Sequence, residues 1–251
     1  MKNTILDIQS ICKQYDNKKI LDNISFAMHK GEVLSLLGIN GAGKSTLTNI
    51  ITMLKKPTSG DIIYNNKSIY QQTNIFKNSI GYTPQMPNLN SNFTMYDNLK
   101  LAGKCFNLSN KAIQENIQYY EKQFELTKYL SYYDYELSGG WKQIFMITRS
   151  LLHNPKIVIL DEPTVGLDVN MRKTIWEIIK ILKNNKKTIL LTTHYLEEAE
   201  KLSDRVCFLK QGKIELIDAT KTLLEKYSCD TLENVFLKFL KEDKFISCQE
   251  K

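Results

Sequence analysis

Between residues 32 and 46 the chain reads EVLSLLGINGAGKST, an apolar run that passes straight into a glycine-rich turn and then into the helical pattern TLTNIITML. No other stretch restricts the fold as much, because a strand, a tight glycine turn and a helix in that order form the start of a βαβ unit. The segment Gly38 to Thr46 satisfies GxxxxGK[ST], which a chain of this length contains by chance with a frequency on the order of 1%. Gly41 and Gly43 let backbone N–H groups point inward at phosphate oxygens, helped by the positive end of the following helix. Lys44 would reach the β and γ phosphates of a nucleotide, and the Ser45 hydroxyl would ligate Mg²⁺. Gly38, Asn40, Ala42 and Thr46 complete the cradle.

Such a cradle needs a second contact to the metal, and IVILDEP supplies it: four apolar residues as a buried strand, then Asp161 and Glu162 at its carboxyl end. Asp161 suits an outer Mg²⁺ contact. Glu162 is placed to accept a proton from an attacking water, a general-base role worth about 10²–10⁴ in rate. Cradle and carboxylates together indicate a domain that hydrolyses ATP or GTP.

The remaining segments point to an α/β domain with a mostly parallel sheet. ILDIQSI and ILDNISFAM read as strands, and TILLTTH reads as a further one. Helical patterns cover about 170 to 183 and LEEAEKL, and RVCFLKQGKIELI reads as a final strand pair. From about 92 to 137 the texture changes to amphipathic helices, with Thr94 and Asp97 spaced as a variant capping box, which predicts a helical insert. The expected organisation is one ATPase domain over 1–218. Its helical subdomain at about 92–137 continues into a helix ending near 153, and a C-terminal helical tail spans 219–251.

No apolar run is long enough to span a bilayer, and MKNTILDIQS lacks the apolar core of a secretory signal, so a soluble, cytoplasmic chain is expected. Cysteines 12, 105, 207, 229 and 248 are odd in number and without a CxxC, and they read as reduced thiols. The formal charge of +7 is spread over scattered lysines with no aromatic-plus-basic stripe. It predicts a solvated surface and no dedicated nucleic-acid partner.

The stretch LSGGWKQ, Leu137 to Gln143, opens another helical run, so Ser138 and the N–H groups of Gly139 and Gly140 would form a second helix-terminal anion site. Either the chain binds two separate anions, or one nucleotide is clamped between the first cradle of one copy and the LSGG of another. In these residues the chain resembles the ATP-binding subunits of ABC transporters, whose signature is LSGGQ and whose nucleotide-binding domains dimerise head to tail. The resemblance covers nearly the whole chain, in the family's order. It implies a P-loop NTPase fold of ABC type, with an N-terminal antiparallel β subdomain beside the parallel core sheet and the helical subdomain.

By the same resemblance, Tyr15 is the aromatic that stacks on adenine, and Gln85 in GYTPQMP is the loop glutamine that touches Mg²⁺ and senses the membrane partner. Asp168 in PTVGLD belongs to the loop that crosses to the opposite subunit, and His194 is the switch histidine at the γ-phosphate. Two departures stand out. Trp141 replaces the usual Gln and is expected to alter packing more than catalysis, and Ile144 stands where many relatives have Arg, which bears on the surface beside the signature. THYLEEAEKLSDRV and LENVFLKFL resemble the exporter branch with ABC-2 permeases.

The resemblance implies ATP and Mg²⁺ as ligands, with a transmembrane permease and a second copy, or a homologous ATPase, as partners. It places the chain peripherally at the inner face of the cell membrane. A soluble ABC-type ATPase acting on nucleic acid or ribosomes is the alternative. A P-loop kinase would need neither LSGG nor His194.

Overall fold

The computed structural model describes residues 3–238. Two long strands, β1 (Thr4–Tyr15) and β2 (Lys18–His29), open the chain as an antiparallel hairpin with Tyr15 opposite Lys18. Ile24, Phe26 and Met28 of β2 are buried in alternation, the period of a strand with one face on a core. There follow β3 (Val33–Leu37), α1 (Lys44–Ile51), β4 (Ser59–Tyr64), β5 (Lys67–Ser68), α2 (Thr73–Lys77) and β6 (Ile80–Thr83). The helices α3 (Met95–Cys105), α4 (Asn110–Gln123) and α5 (Gly139–Leu151) come next. The chain continues through β7 (Ile157–Asp161), α6 (Val169–Asn184), β8 (Thr188–Thr193), α7 (Leu196–Leu202), β9 (Arg205–Lys210), β10 (Lys213–Ala219) and α8 (Thr220–Lys226).

These strands make two sheets. One is antiparallel in the order β2-β1-β4-β5; the other runs β10-β9-β3-β8-β7-β6, parallel throughout except for the β9–β10 pair. Every residue of β3, β7 and β8 is buried. Their side chains nevertheless alternate, because successive residues point to opposite faces. Leu34, Leu36, Ile157, Ile159 and Leu190 join the core shared with the antiparallel sheet and α1. Val33, Val158, Leu160, Ile189 and Leu191 join the core made with the helices. The parallel sheet is therefore a middle layer, which is why its strands read as continuous apolar runs.

The helical segment after β6 begins as its sequence suggests. Thr94 caps α3, its hydroxyl oxygen accepting from the Asp97 N–H at 3.1 Å. In α5, Ile144 is 0% exposed and packs in the helix-side core, so its replacement of an arginine changes the interior and not, as expected, the surface beside the signature. Strands β4 and β6 were not legible in the pattern. Both are short, and each carries a glycine.

Past β10, Leu223, Leu232 and Val235 pack on β9 and α7 as a third cluster, with Phe236 stacked on Phe208 at 5.4 Å. The rest of the expected tail, 239–251 with Cys248, lies outside the described residues. Cys12, Cys105, Cys207 and Cys229 are free thiols. Among the described residues no helix is long and apolar enough to cross a membrane.

Candidate active site

The parallel sheet delivers its chemistry to one edge. Leu37 lies beside Thr193, Asp161 beside Thr192, and Thr83 beside Leu160, so the segments leaving β3, β6, β7 and β8 emerge together at their carboxyl ends, where open α/β sheets hold ligands. Leaving β3, the turn before α1 holds Gly41 at φ 83° and Gly43 at φ 109°, backbone conformations that favour glycine. A Cβ on Gly43 would also lie 2.7 Å from Leu21 Cδ2, so the turn is pressed against β2.

Lys44 is buried at 4% exposure, and its Nζ donates to the Gly38 carbonyl at 2.7 Å. Ala42 closes the turn structurally: its N–H donates to Ile39 O at 3.1 Å, and its carbonyl accepts from Gly212 N–H at 3.0 Å. Asn40, Gly41, Gly43, Lys44, Ser45 and Thr46 line a cleft of about 530 Å³, and Gly38 and Ala42 sit behind it.

At the end of β7, Asp161 is buried and fully engaged. One carboxylate oxygen accepts from Thr192 Oγ1, the other from Thr48 Oγ1 at 3.4 Å and Tyr82 OH at 3.5 Å. Burial pushes its pKa up, and neighbouring Glu162 adds to the rise while the three hydroxyls oppose it. Glu162 occupies the left-handed region at φ 48°, a conformation that costs a non-glycine residue on the order of 1–3 kcal/mol and clusters at functional sites. Its N–H donates to Thr192, to the carbonyl at 3.0 Å and to the hydroxyl at 2.9 Å.

This conformation turns the carboxylate into the cleft. Lys44 Nζ lies 3.3 Å from Oε1, Gln85 Nε2 donates to Oε2 at 3.0 Å, and His194 Nδ1 stands 3.5 Å from Oε2. Four expected site residues, from four separate segments, thus meet at one carboxylate that is 8% exposed.

Ser138, Gly139, Gly140, Asp168 and Tyr15 lie apart from this cleft. Ser138 is the N-cap residue of α5, yet its side chain makes no capping hydrogen bond. Ser138, Gly139 and Gly140 are absent from the lining of the cleft. A Cβ on Gly140 would come within 2.6 Å of Met171 Cε and 3.0 Å of Met171 Cβ, whereas one on Gly139 would meet only Leu167 Cδ2 at 3.9 Å. Asp168 is exposed and caps α6, accepting from the N–H groups of Asn170 and Met171 at 2.9 and 3.0 Å. Tyr15 is 38% exposed, with Lys13 and Lys55 Nζ at 4.9 and 5.1 Å from its ring centre. It does not line the cleft, although Lys18, its partner across the hairpin, does.

Sequence reasoning missed Thr192, which holds both Asp161 and the Glu162 backbone. A hydroxyl two residues before His194 at a strand end was the available signal.

Trp141 lies against Tyr129, ring centres 4.0 Å apart, on the helix-side core. Trp141→Ala is expected to destabilise the fold by about 2 kcal/mol, below the range for a fully buried tryptophan, while shifting ATP affinity less than twofold. Urea midpoints and a nucleotide titration check this.

Residues 21–165 match the family model described as ABC transporter. The chain belongs to that family. Among its relatives, the Nod factor export ATP-binding protein I of Rhizobium meliloti is 38% identical over 91% of this chain and 68% of its own length. The protein of the same name in Burkholderia thailandensis is 36% identical over 91% and 75%. A solved ATP-binding subunit of an ABC transporter superposes with a TM-score of 0.84 at 27% identity, over 94% of this chain and 99% of that one. A dimeric ATP-binding cassette in a post-hydrolysis state with ADP and Pi gives 0.78 at 28% identity, over 86% and 99%. This ABC protein is accordingly an ATP-binding, ATP-hydrolysing transporter subunit. Its Lys44 forms an ion pair with Glu162.

Proposed function

We propose that this chain powers export through a separate membrane permease, with ATP clamped between the cleft of one copy and the Ser138–Gly140 segment of a second copy or a homologous ATPase. The observation that carries this reading is the separation of the two anion-binding elements. The cleft is open, and the N-terminal turn of α5, with an uncommitted Ser138 hydroxyl, lies outside it in the same chain. Relatives named as export ATP-binding proteins and a neighbour solved as a dimer support it. They favour transport over the nucleic-acid or ribosome alternative.

The donors near the cleft fit Mg²⁺. Ser45 and the Gln85 carbonyl offer hard oxygen ligands, few enough to leave positions for water and phosphate. Asp161, whose oxygens are already taken by Thr192, Thr48 and Tyr82, suits an outer contact. The metal would neutralise charge on the β and γ phosphates.

The chain's own groups do the rest. Lys44 exchanges Glu162 for phosphate oxygens, and the backbone N–H groups from Gly41 to Thr46 hold the phosphate chain. Released from Lys44, Glu162 takes the proton of the attacking water, which His194 positions. Tyr15 stacks on the adenine. In this reading Asp168 keeps its capping role and presents its loop to the other copy.

The chain divides functionally into an ATPase domain, 1–218, and a tail, 219–251, with the helical subdomain at 92–137 facing the permease. A groove of about 510 Å³ runs between the end of α1, at Thr52 and Leu54, and α3, at Leu101 and Cys105. The chain just beyond Gln85 forms its wall. Asn98 of α3 binds that wall, accepting from Asn90 N–H at 2.8 Å and donating to Asn90 O at 3.0 Å, so a shift at Gln85 is passed to α3.

Gln85→Ala is expected to lower transport at least about tenfold while ATP affinity changes less than threefold. Equal losses would make Gln85 mainly a nucleotide ligand. Purification of the tagged chain from detergent-solubilised membranes tests the whole reading. A stoichiometric polytopic membrane protein is expected, and retention on ribosomes or DNA instead would overturn it.

A further inference from the structure

Behind the cleft, Glu198 of α7 is 0% exposed, an unusual place for a carboxylate. Its Oε1 accepts two hydrogen bonds, from Thr164 Oγ1 at 2.9 Å and from Trp176 Nε1 at 2.8 Å, while Oε2 is buried without a hydrogen-bond partner. Burial pushes its pKa up, opposed by Thr193, Trp176, Thr164 and the charge of Arg172. The neighbouring Arg172 lies with its guanidinium 4.4 Å over the Tyr195 ring, and its Nε is also unpartnered. Apolar residues of similar volume would fill this space without the desolvation cost of a carboxylate.

The placement of the three bonded residues explains what the carboxylate does. Thr164 stands two positions after Glu162, and Glu198 four positions after His194. The Thr164–Glu198 bond therefore ties the two segments on the far side of the Glu162 N–H bonds to Thr192, with the 3.5 Å approach of His194 Nδ1 to Glu162 Oε2 between the same segments. Trp176 fastens the same oxygen to α6, the helix that Asp168 caps. A misplacement of about 1 Å between catalytic groups can cost about 10²-fold in rate, so a further fixed bond between these segments has kinetic value.

We propose that Glu198 is a positioning residue for hydrolysis, its Oε1 holding the Glu162 segment at a fixed distance from the His194 segment. This rests on the assignment of Glu162 and His194 to hydrolysis under the proposed function.

Three variants test it in the intact chain: Glu198→Ala, Glu198→Gln and Thr164→Val. The alanine and the near-isosteric valine are expected to lower kcat for ATP about 10- to 100-fold while KM and equilibrium ATP binding change less than threefold. Glu198→Gln keeps an oxygen that can accept from Thr164 and Trp176, so its kcat should stay within about threefold of wild type. In a His194→Ala background, Thr164→Val should cost less than a further threefold, because the positioned group is gone.

Should Glu198→Ala fail to fold, Thr164→Val and the double variant carry the decision. Rates within threefold of wild type for Thr164→Val would overturn the assignment. So would equal losses in kcat and nucleotide affinity, or a glutamine variant as slow as the alanine. A wild-type chain without ATPase activity would instead overturn the hydrolytic reading on which the proposal stands.

Discussion

A Glu162→Gln variant is expected to bind ATP, remain closed as a dimer and hydrolyse at least about 10²-fold more slowly than wild type. Two separate physical consequences follow from the position of this side chain. The amide cannot take a proton from water, so the chemical step fails. The amide also carries no charge, so Lys44, buried at 4% exposure and 3.3 Å from Oε1, loses its counter-ion and keeps only neutral oxygens, the Gly38 carbonyl and the amide's own. Without nucleotide, a buried cation left in this state should lower stability.

With Mg·ATP the same cation finds phosphate without first leaving a carboxylate, so affinity should rise. The variant should therefore melt below wild type when empty, and saturating Mg·ATP should raise its melting temperature by more than it raises that of wild type. Light scattering should show a monomer, or weak dimer, that becomes a stable dimer with Mg·ATP. A monomer at saturating ATP would count directly against the shared-site reading.

The second large effect is recovery of activity from two inactive chains. Lys44→Ala damages a chain's own cleft, and Gly139→Asp places a carboxylate where a γ-phosphate from the other copy would sit. Gly139 is the better position for this lesion, because a Cβ there meets only Leu167 at 3.9 Å, whereas at Gly140 it would collide with Met171 and disturb the packing of α5 on α6. An aspartate in the first turn of α5 also suits the helix dipole, so the fold should survive.

Each homodimer should be nearly inactive. In a head-to-tail heterodimer both lesions fall in one composite site and the other site is intact. Random mixing with independent sites should restore roughly a quarter of normal ATPase activity, since half the dimers carry one good site of two. If the signature served its own chain, no activity would return. Strict cooperation between sites could also suppress recovery, so ATP-dependent cross-linking of a Ser138→Cys chain to a cysteine near the partner copy's cleft completes the test. Absence of both recovery and cross-link would sink the shared site.

Much of the architecture was legible because it depends on neighbours in sequence. The turn from Gly38 to Thr46 is local: the left-handed backbone at Gly41 and Gly43 needs glycine, and the following helix needs only its own apolar period. Strands β3, β7 and β8 announce themselves as apolar runs because both their faces are covered. Strand β6 did not, since Gly81 interrupts its pattern. The reason for that glycine lies far away in sequence: a Cβ there would stand 2.2 Å from the Ser150 carbonyl of α5.

The site divides along the same line. Motif spacing pointed to Lys44 and Glu162, and the family resemblance to Gln85 and His194, each separately; the sequence by itself determined their residue types and the ends of the elements that carry them. Only the tertiary structure decided that all four meet at the Glu162 carboxylate, that Thr192 holds this segment from behind, that Glu198 is buried beneath it, and that Ile144 faces the core. Local sequence governs backbone conformation and the apolar stripe of one element at a time. Which polar atoms come within hydrogen-bond reach depends on how strands distant in sequence align side by side, and the parallel register of β3, β8, β7 and β6 sets that alignment.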